Sequence, residues 1–463
     1  MLFSSLSFLF CFFPLVVLTY FVLRPALQNY FLLLASLLFY AWGEPKYLLI
    51  MLSVITINYL AGIGISYFTQ HKKAILALSI LLNLSILGFF KYTDFIIENI
   101  NLVFKSNLPL LHIALPIGIS FYIFQSMSYT IDVFKGAVQS QKNIFKFALY
   151  VSLFPQLIAG PIVKYRDIAN EIDNRNVSLQ DVVDGLKRFI VGLSKKVILA
   201  NTMGEVADTI YSTGTNNISA DIAWLGAIAY SLQIFFDFSG YSDMAIGIGR
   251  MFGFKFLENF NYPYIADSVT DFWRRWHISL SSWFREYLYI PLGGNRVSTI
   301  RRNINLFVVF FATGLWHGAS WNFIIWGLWH GFFLIVEKYF SKNYPNNSIY
   351  KKIIKHIYVI LVFIIGWVFF RADNLTVALN YIKVMFCITS PAVIPFNLEY
   401  YLTQKVALIG IIALLLCYDW KYPDFTKAQW LEPLKMGYSV LLLIISITFI
   451  ASAGYNPFIY FRF

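Results

Sequence analysis

The chain has 463 residues, of which 58% are hydrophobic and only 13% are charged, and its mean hydropathy is +0.63. About a quarter of the residues in soluble globular proteins are charged, so this composition excludes an ordinary soluble protein and predicts an integral membrane protein. The net charge of +12 does not indicate a nucleic-acid partner. The lysines and arginines fall in short connections between apolar runs, where the positive-inside rule accounts for them.

Apolar runs follow one another along the whole chain and predict about eleven or twelve membrane spans, since a helix of roughly 20 residues crosses about 30 Å of hydrocarbon. The first run, 2–23, has no basic segment before it and no small-residue cleavage site, so we expect a retained span and not a signal peptide. The later runs are 30–42, 47–68, 74–90, 110–134, 147–159, 222–249, 304–316, 321–336, 353–370, 406–416 and 440–453.

No shift in composition, long linker or internal repeat marks a domain boundary. The sequence therefore predicts one all-α polytopic domain over residues 1–463, with re-entrant or interfacial helices between the spans. Segment 184–202 has apolar residues at helical spacing with lysines and an arginine between them, as an interfacial helix would. Segment 271–290 is predicted to be a second helix of this kind, at or just below the cytoplasmic surface, with its tryptophans at the level of the lipid headgroups.

Arginines are concentrated in one part of the chain, because six of the thirteen lie between residues 271 and 302. Taking the basic clusters at 71–73, 135–146, 274–302 and 338–355 as cytoplasmic places the N-terminus outside. Arginine binds phosphate through two parallel hydrogen bonds. The concentration therefore indicates an anionic ligand, with lipid headgroups and the neighbouring Asp271 and Glu286 as the alternative partners.

Three of the six histidines, His277, His317 and His330, lie in one window of 54 residues. If a helix starts after Arg302, His317 lies about fifteen residues along it, or roughly 22 Å into the membrane. An ionisable residue at that depth indicates a functional site; the alternative is a neutral ring that links two helices. His277 and His317 could meet at one site, and His330 is either a packing residue or part of that site.

Polar side chains also interrupt the apolar spans. Asp237 and Asp243 are six residues apart, so they point to different faces of a helix. Each needs a partner, and Ser239 and Arg250 are candidates close in sequence. These carboxylates and Gln125, on another span, either join helices by hydrogen bonds or line a tunnel.

The sequence has no P-loop, G-x-S-x-G elbow, H-E-x-x-H or Cys/His zinc pattern. Its three cysteines, Cys11, Cys387 and Cys417, are scattered within apolar runs. We therefore expect no metal site and no disulfide framework. An intramembrane histidine that acts as a base, beside an arginine-rich cytoplasmic mouth, is the remaining chemistry.

Three long blocks carry a resemblance to a known family: FFDFSGYSDMAIGIGRMFGFKFLENFNYPY (235–264), DFWRRWHISLSSWFREYLYIPLGGNR (271–296) and TGLWHGASWNFIIWGLWHG (313–331). They resemble the membrane-bound O-acyltransferase (MBOAT) family. The nearer likeness is to its bacterial branch of alginate and peptidoglycan O-acetyltransferase membrane subunits, and a more distant one is to the membrane subunit of teichoic-acid D-alanylation. The resemblance covers most of the chain.

The resemblance implies a helical membrane fold around a central funnel or tunnel, with the catalytic core at about 110–340. It implies that His317, in the L-W-H-G block, is the catalytic base, and that His277 is the second motif residue, which in the family is Asn, Asp or His. Around the entry of the acyl donor it places Trp273, Arg274, Arg275 and Arg285. Asp237, Asp243, Gln125 and His330 are the expected tunnel lining.

The last residues, NPFIYFRF, belong to a C-terminal tail at 454–463. They resemble the aromatic C-terminal motif of the small peptide subunit in D-alanylation systems, whose tyrosine carries the acyl group in transit. That residue would be Tyr460 here. An aromatic anchor at the membrane interface is the alternative.

The resemblance implies an O-acetyltransferase in the bacterial cytoplasmic (inner) membrane, in contact with its lipids. Acetyl-CoA would be the cytoplasmic donor, and the acceptor a cell-envelope or secreted polysaccharide of the peptidoglycan or alginate type. No long extracellular domain is present to bind a polymer, so we expect a periplasmic partner of the SGNH/esterase-like O-acetyltransferase kind. The alternatives are transfer of D-alanyl or another acyl group from a carrier-protein thioester, and a polysaccharide or lipid transporter without enzymatic activity.

Overall fold

The computed structural model describes all residues except 159, 341–348, 390, 392, 420–431, 453 and 458–463, and the described residues form helices and connections without a β-strand. This confirms the predicted all-α class. The chain divides into two compact units, residues 1–189 with 241–257 and residues 190–240 with 258–463. The single domain predicted for 1–463 stays a prediction.

The first unit contains the N-terminal helices. They are α1 (Phe13–Val22), α2 (Pro25–Gly43), α3 (Leu48–Tyr67), α4 (Lys72–Phe104), α5 (Ile119–Lys135), α6 (Ile144–Ser152), α7 (Phe154–Leu157), α8 (Tyr165–Asp173) and the first part of α9 (Leu179–Ser194), with a π-helical segment at Phe8–Phe12.

Helices α3, α4 and α5 pack against one another through small and polar residues. A Cβ on Gly62 of α3 would lie 2.6 Å from the Tyr129 hydroxyl of α5, so only glycine allows this approach. The Asn58 amide of α3 donates to the Asn83 side chain of α4 at 3.0 Å. Such contacts hold helices together in lipid, where apolar surface gains nothing by leaving the hydrocarbon.

The span predicted at 110–134 begins later than expected, because α5 starts at Ile119. Pro116 lacks a backbone N–H and disfavours helical conformation in the residue before it. Gly118 then takes a positive φ of 76° at the helix start. Residues 105–118 therefore connect α4 and α5 outside any helix.

The second unit contains the remaining helices. They are the end of α9, a π-helical segment at Lys195–Ala200, α10 (Asn201–Thr213), α11 (Ala220–Met251, as far as residue 240), α12 (Val269–Arg275), α13 (Ile278–Phe284), a π-helical segment at Arg285–Tyr289, α14 (Thr299–His317), α15 (Trp321–Phe340), α16 (Ile349–Arg371), α17 (Leu375–Met385), α18 (Leu398–Tyr401), α19 (Gln404–Leu416) and α20 (Glu432–Ser452).

Six helices in the described part of the chain are long and apolar enough to cross a membrane: α2, α3, α4, α11, α16 and α20. Three shorter apolar helices lie at Phe8–Val22, Leu375–Met385 and Gln404–Leu416. The chain is therefore a multi-pass membrane protein, as predicted. The count of eleven or twelve spans stays a prediction.

The prediction that residues 271–290 form one continuous helix is wrong. The segment is broken between α12 and α13 at His277, which has φ 44° and ψ 55°. The level of its tryptophans relative to the lipid headgroups stays a prediction. Trp273, Trp276 and Trp283 are at most 9% exposed, because their rings pack against other aromatic rings of the unit.

Candidate active site

His317 is the last residue of α14, where this helix packs tightly against α15. A Cβ on Gly314, one turn before His317, would lie 2.5 Å from the backbone oxygen of Phe323. Glycine at this position therefore lets the two helices approach closely, as small residues do between membrane helices. This contact fixes the end of α14, and with it the Cα position of His317, against the start of α15.

The His317 ring lies among three aromatic side chains. Its centroid is 4.9 Å from Trp316, 4.8 Å from Trp326 and 5.2 Å from Phe370, each in an edge-to-face arrangement. The side chain is 7% exposed. Three rings from α14, α15 and α16 thus define the orientation of the imidazole and exclude most solvent from it.

His277 is buried and held by a hydrogen-bonded turn. The backbone N–H of Ser279 donates to Asn259 Oδ1 at 3.2 Å, which identifies this atom as the acceptor oxygen, and His277 Nδ1 lies 3.1 Å from the same oxygen. Nδ1 must therefore carry the proton and donate to Asn259. In the neutral ring the other nitrogen, Nε2, is then an acceptor, and it has no hydrogen-bond partner among the described residues.

The charge state of His277 follows from its surroundings. Burial lowers the pKa of the His277 imidazole to about 3, because a buried charged ring loses its hydration. The ring is therefore neutral at pH 7, with the lone pair of Nε2 available.

One indole connects the two predicted catalytic histidines. The ring centroid of Trp316 is 6.2 Å from that of His277 and 4.9 Å from that of His317. The structure therefore brings His277 and His317 to the same side chain, which their separation of 40 residues in sequence does not show. The arrangement places one neutral, proton-accepting imidazole near a second imidazole within an aromatic enclosure.

His330 lies in the same aromatic cluster and is completely buried. Its ring centroid is 5.2 Å from Trp273, 5.2 Å from Trp326 and 5.0 Å from Phe363. Trp273, predicted near the donor's entry, thus packs on His330 and Trp326 in the interior. Neither prediction, of a donor contact for Trp273 or of a tunnel lining for His330, is tested by these contacts.

The three predicted donor-binding arginines differ in their surroundings. Arg274 and Arg285 are exposed. Arg275 is half-buried and forms an ion pair with Asp271 at 2.7 Å, which was the alternative partner expected from sequence. Its role in binding an anion stays a prediction, as do those of Arg274 and Arg285.

The two aspartates of α11 have partners far away in sequence. Asp237 is paired with Lys196 at 2.9 Å, and Asp243 is paired with Arg188 at 2.9 Å within the first unit. Lys196, in the segment 184–202 that is predicted to be interfacial, is buried, with 2% of its surface exposed. A buried carboxylate in an apolar span needs an opposite charge, and the lysine supplies it.

For two further predicted site residues, the structure gives no distance to the histidines. Gln125 is buried in α5 of the first unit, and Tyr460 lies outside the described residues. Within the described ranges no group of three or more His, Cys, Asp and Glu side chains could hold a metal ion. Sequence reasoning missed Asn259 and Trp326 as partners of the histidines, although Asn259 lies in the first block that carries the resemblance and Trp326 in the third.

A comparison with protein families matches residues 65–372, which include both histidines, to the model described as membrane-bound O-acyltransferase family. This chain belongs to the membrane-bound O-acyltransferase family. The predicted family and fold are therefore confirmed, and the protein is an acyltransferase.

Relatives of this membrane-bound O-acyltransferase carry specific names. A Pseudomonas putida protein named "Probable alginate O-acetylase AlgI" is 40% identical over the full length of both chains. The "Peptidoglycan O-acetyltransferase" of Helicobacter pylori is 40% identical over 83% of this chain and 80% of its own. The "Teichoic acid D-alanyltransferase" of Bacillus subtilis is 29% identical over 49% of this chain and 60% of its own. The likeness to O-acetyltransferases thus extends over more of the chain.

Proposed function

We propose that this membrane-bound O-acyltransferase moves acetyl groups from cytoplasmic acetyl-CoA across the bacterial inner membrane, for O-acetylation of an alginate- or peptidoglycan-type polysaccharide. The observation that carries the proposal is the placement of both His317 and His277 against the ring of Trp316, inside the region that matches the family. The names of two relatives, which match all and 83% of this chain, support acetyl as the group transferred.

In the proposed reaction His317 is the general base. It takes the proton of the attacking hydroxyl as the hydroxyl oxygen forms a C–O bond with the thioester carbonyl carbon. The C–S bond then breaks, and the CoA thiolate leaves and takes up the proton. General-base catalysis of this kind contributes about 10²–10⁴-fold to a rate.

His277 would position the acceptor in this reaction. Its Nδ1–H is used by Asn259, so Nε2 can only accept a hydrogen bond while the ring is neutral. A hydroxyl that donates to Nε2 is held in place for attack. This supports acceptor orientation over oxyanion stabilisation for His277, since an oxyanion requires a donor.

The donor would enter from the cytoplasmic side. Arg274 and Arg285 are exposed and suited to the phosphates of CoA, because a guanidinium binds phosphate bidentately. We further propose that the acetyl group passes through Tyr460 at the C-terminus to a periplasmic SGNH/esterase-like transferase. That partner would deliver it to the polysaccharide.

The first test measures acetyl transfer by the purified protein in lipid nanodiscs with radiolabelled acetyl-CoA. We expect His317→Ala to lose about 10²–10⁴-fold in thioester turnover, and His71→Ala, at an exposed histidine, to behave as the wild type. Label should remain on the wild-type protein and be absent from Tyr460→Phe. Equal turnover by wild type and His317→Ala would contradict the proposed base.

The likeness to the teichoic acid D-alanyltransferase of Bacillus subtilis favours one second candidate, acyl transfer from a carrier-protein thioester. The same assay distinguishes the two donors. Turnover of an acyl-carrier thioester with no turnover of acetyl-CoA would replace the first proposal by the second.

A further inference from the structure

The end of the described chain docks onto polar side chains of α10 and of its preceding π-helical segment. The contacting side chains are Lys196, Asn201 and Asp208, and Asp208 is in turn paired with Arg371 of α16; we call these four residues the tail receptor. All four belong to the same unit as the tail. None of the four was assigned a role of its own from sequence.

The Lys196 ammonium group contacts three oxygens. It forms an ion pair with Asp237 Oδ1 at 2.9 Å, and it donates hydrogen bonds to Asn201 Oδ1 at 2.8 Å and to the backbone carbonyl oxygen of Pro457. Lys196 and Asp237 are both buried, so each N–H that loses its acceptor would be left unsatisfied in an apolar span. The Pro457 carbonyl therefore supplies a hydrogen-bond acceptor to a buried ammonium group, and its contact with Lys196 is not only a surface contact.

Asp208 binds the tail through its second oxygen. Its Oδ1 accepts from Arg371 Nη2 at 2.6 Å, and its Oδ2 accepts from the Tyr455 hydroxyl at 2.6 Å. Hydrogen bonds to an ionised acceptor are roughly twice as strong as neutral ones. Asn201 Nδ2 adds a bond of 3.3 Å to the Tyr455 carbonyl oxygen. The tail receptor thus binds two tail carbonyls, those of Tyr455 and Pro457, and the side chains of Tyr455 and Asn456.

The partner of Lys196 is adjacent in sequence to a residue that contacts His277. Asp237, the partner of Lys196, is followed by Phe238, and the Phe238 ring centroid lies 4.6 Å from that of His277. Tyr460 is the third residue after Pro457 in the sequence, and a chain spans at most about 3.3–3.6 Å per residue. The anchored Pro457 therefore restricts the distance that Tyr460 can move from the receptor.

We propose that the tail receptor binds the segment Tyr455–Pro457 and thereby positions Tyr460 to receive the acyl group. The inference rests on the proposed carrier role of Tyr460. Lys196, Asn201, Asp208 and Arg371 are positioning residues in this scheme and touch neither donor nor acceptor. When the tail is bound, the Pro457 carbonyl oxygen accepts a hydrogen bond from Lys196. Tail binding is therefore coupled to the hydrogen bonding of this buried ammonium group.

The first experiment measures docking without any chemistry. The exposed cysteines Cys11 and Cys387 are replaced by serine, and Asn456→Cys provides a reporter that is modified by maleimide when the tail leaves the receptor. Tyr455→Phe removes the bond to Asp208, and we expect about tenfold faster modification. Tyr438→Phe, at an exposed tyrosine of α20, should leave the rate unchanged. Equal rates in all three proteins would overturn the receptor.

The second experiment measures positioning in full-length protein with radiolabelled acetyl-CoA. We expect Tyr455→Phe to lower the rate of label transfer to the tail about tenfold, with the KM for acetyl-CoA unchanged, since the donor site is intact. The pair Lys196→Met/Asp237→Leu, which leaves no unpaired buried charge, should lower the rate in the same way. A loosened tail with an unchanged rate of labelling would overturn the positioning role.

The two proposals can fail separately. If Tyr460→Phe retains the label, the carrier role is wrong and positioning fails with it, while the maleimide rates still decide whether the receptor binds the tail. If Tyr460→Phe loses the label and the maleimide rates do not respond to Tyr455→Phe, the carrier role stands and the receptor is wrong.

Discussion

His277 has a backbone conformation that few residue types accept. Its φ of 44° lies in the left-handed region, where asparagine, aspartate and histidine are several-fold enriched among non-glycine residues. The resemblance implies the same three types, Asn, Asp or His, at this position of the family. The backbone turn between α12 and α13 accounts for that choice before any catalytic role is considered.

Substitutions at His277 test this conformational explanation. We expect His277→Val to destabilise the folded protein by about 1–2 kcal/mol, because a β-branched residue is disfavoured in the left-handed region. His277→Asn should cost less. Thermal unfolding of both variants in the same detergent measures the difference. A lower melting temperature for His277→Asn than for His277→Val would contradict the explanation.

The hairpin of α14 and α15 depends on glycine where the two backbones meet. A Cβ on Gly314 would lie 2.5 Å from the Phe323 oxygen and 3.2 Å from the Ile324 Cα. Both are backbone atoms, so they cannot move aside as the end of a flexible side chain could. The position of His317 thus depends on a residue that has no chemistry of its own.

Gly314→Ala should therefore separate the two helices. We expect a destabilisation of about 1–3 kcal/mol, typical of overpacking, together with reduced turnover because His317 moves with the end of α14. Gly88→Ala is the matched control, since a Cβ on Gly88 meets nothing within 4 Å and alanine is the better helix former by about 1 kcal/mol. Thermal unfolding and thioester turnover would be measured for both. Equal melting temperatures would argue against the close contact.

The buried ion pair of Lys196 and Asp237 joins α11 to the π-helical segment before α10. Lys196→Met alone leaves the Asp237 carboxylate buried and unpaired, which costs about 3–5 kcal/mol. We expect the double variant Lys196→Met/Asp237→Leu to regain much of that stability. Unfolding of the two variants in detergent measures the difference. If the single variant is as stable as the wild type, the pair is not buried in the folded protein.

The distribution of charge along the chain predicts a membrane topology for the first unit. The connection between α3 and α4 carries basic residues and is expected in the cytoplasm, so that α4 runs outward and Lys105 at its end lies outside. Helix α4 has 33 residues, enough to cross about 30 Å of hydrocarbon at about 1.5 Å per residue.

Cysteine labelling from one side tests this topology. In a chain with Cys11→Ser and Cys387→Ser, we expect a membrane-impermeant maleimide added to intact spheroplasts to modify Lys105→Cys and not Lys72→Cys. Inside-out vesicles should show the reverse pattern. Modification of Lys72→Cys in spheroplasts would invert the predicted orientation of the first unit.

Local patterns in the sequence were sufficient to predict the fold class and one site residue. Hydropathy and the short basic connections indicate a helical multi-pass membrane protein, and an ionisable residue within an apolar run singles out His317. They were insufficient at 271–290, where helical periodicity predicts one helix. The break at His277 follows from hydrogen bonds to Asn259, eighteen residues earlier in the chain, and no local pattern contains that pairing.

The sequence by itself determined the membrane location, the helical class and the candidate residues, because hydrophobicity and charge act on each segment separately. Only the tertiary structure decided the partners. It placed Trp316 against both histidines, Trp273 in the interior with His330, and Lys196 with Asp237 and the tail carbonyl of Pro457. The physical reason is that a buried charge or ring must find its partner on whichever helix packs beside it. That choice depends on the packing of several helices at once.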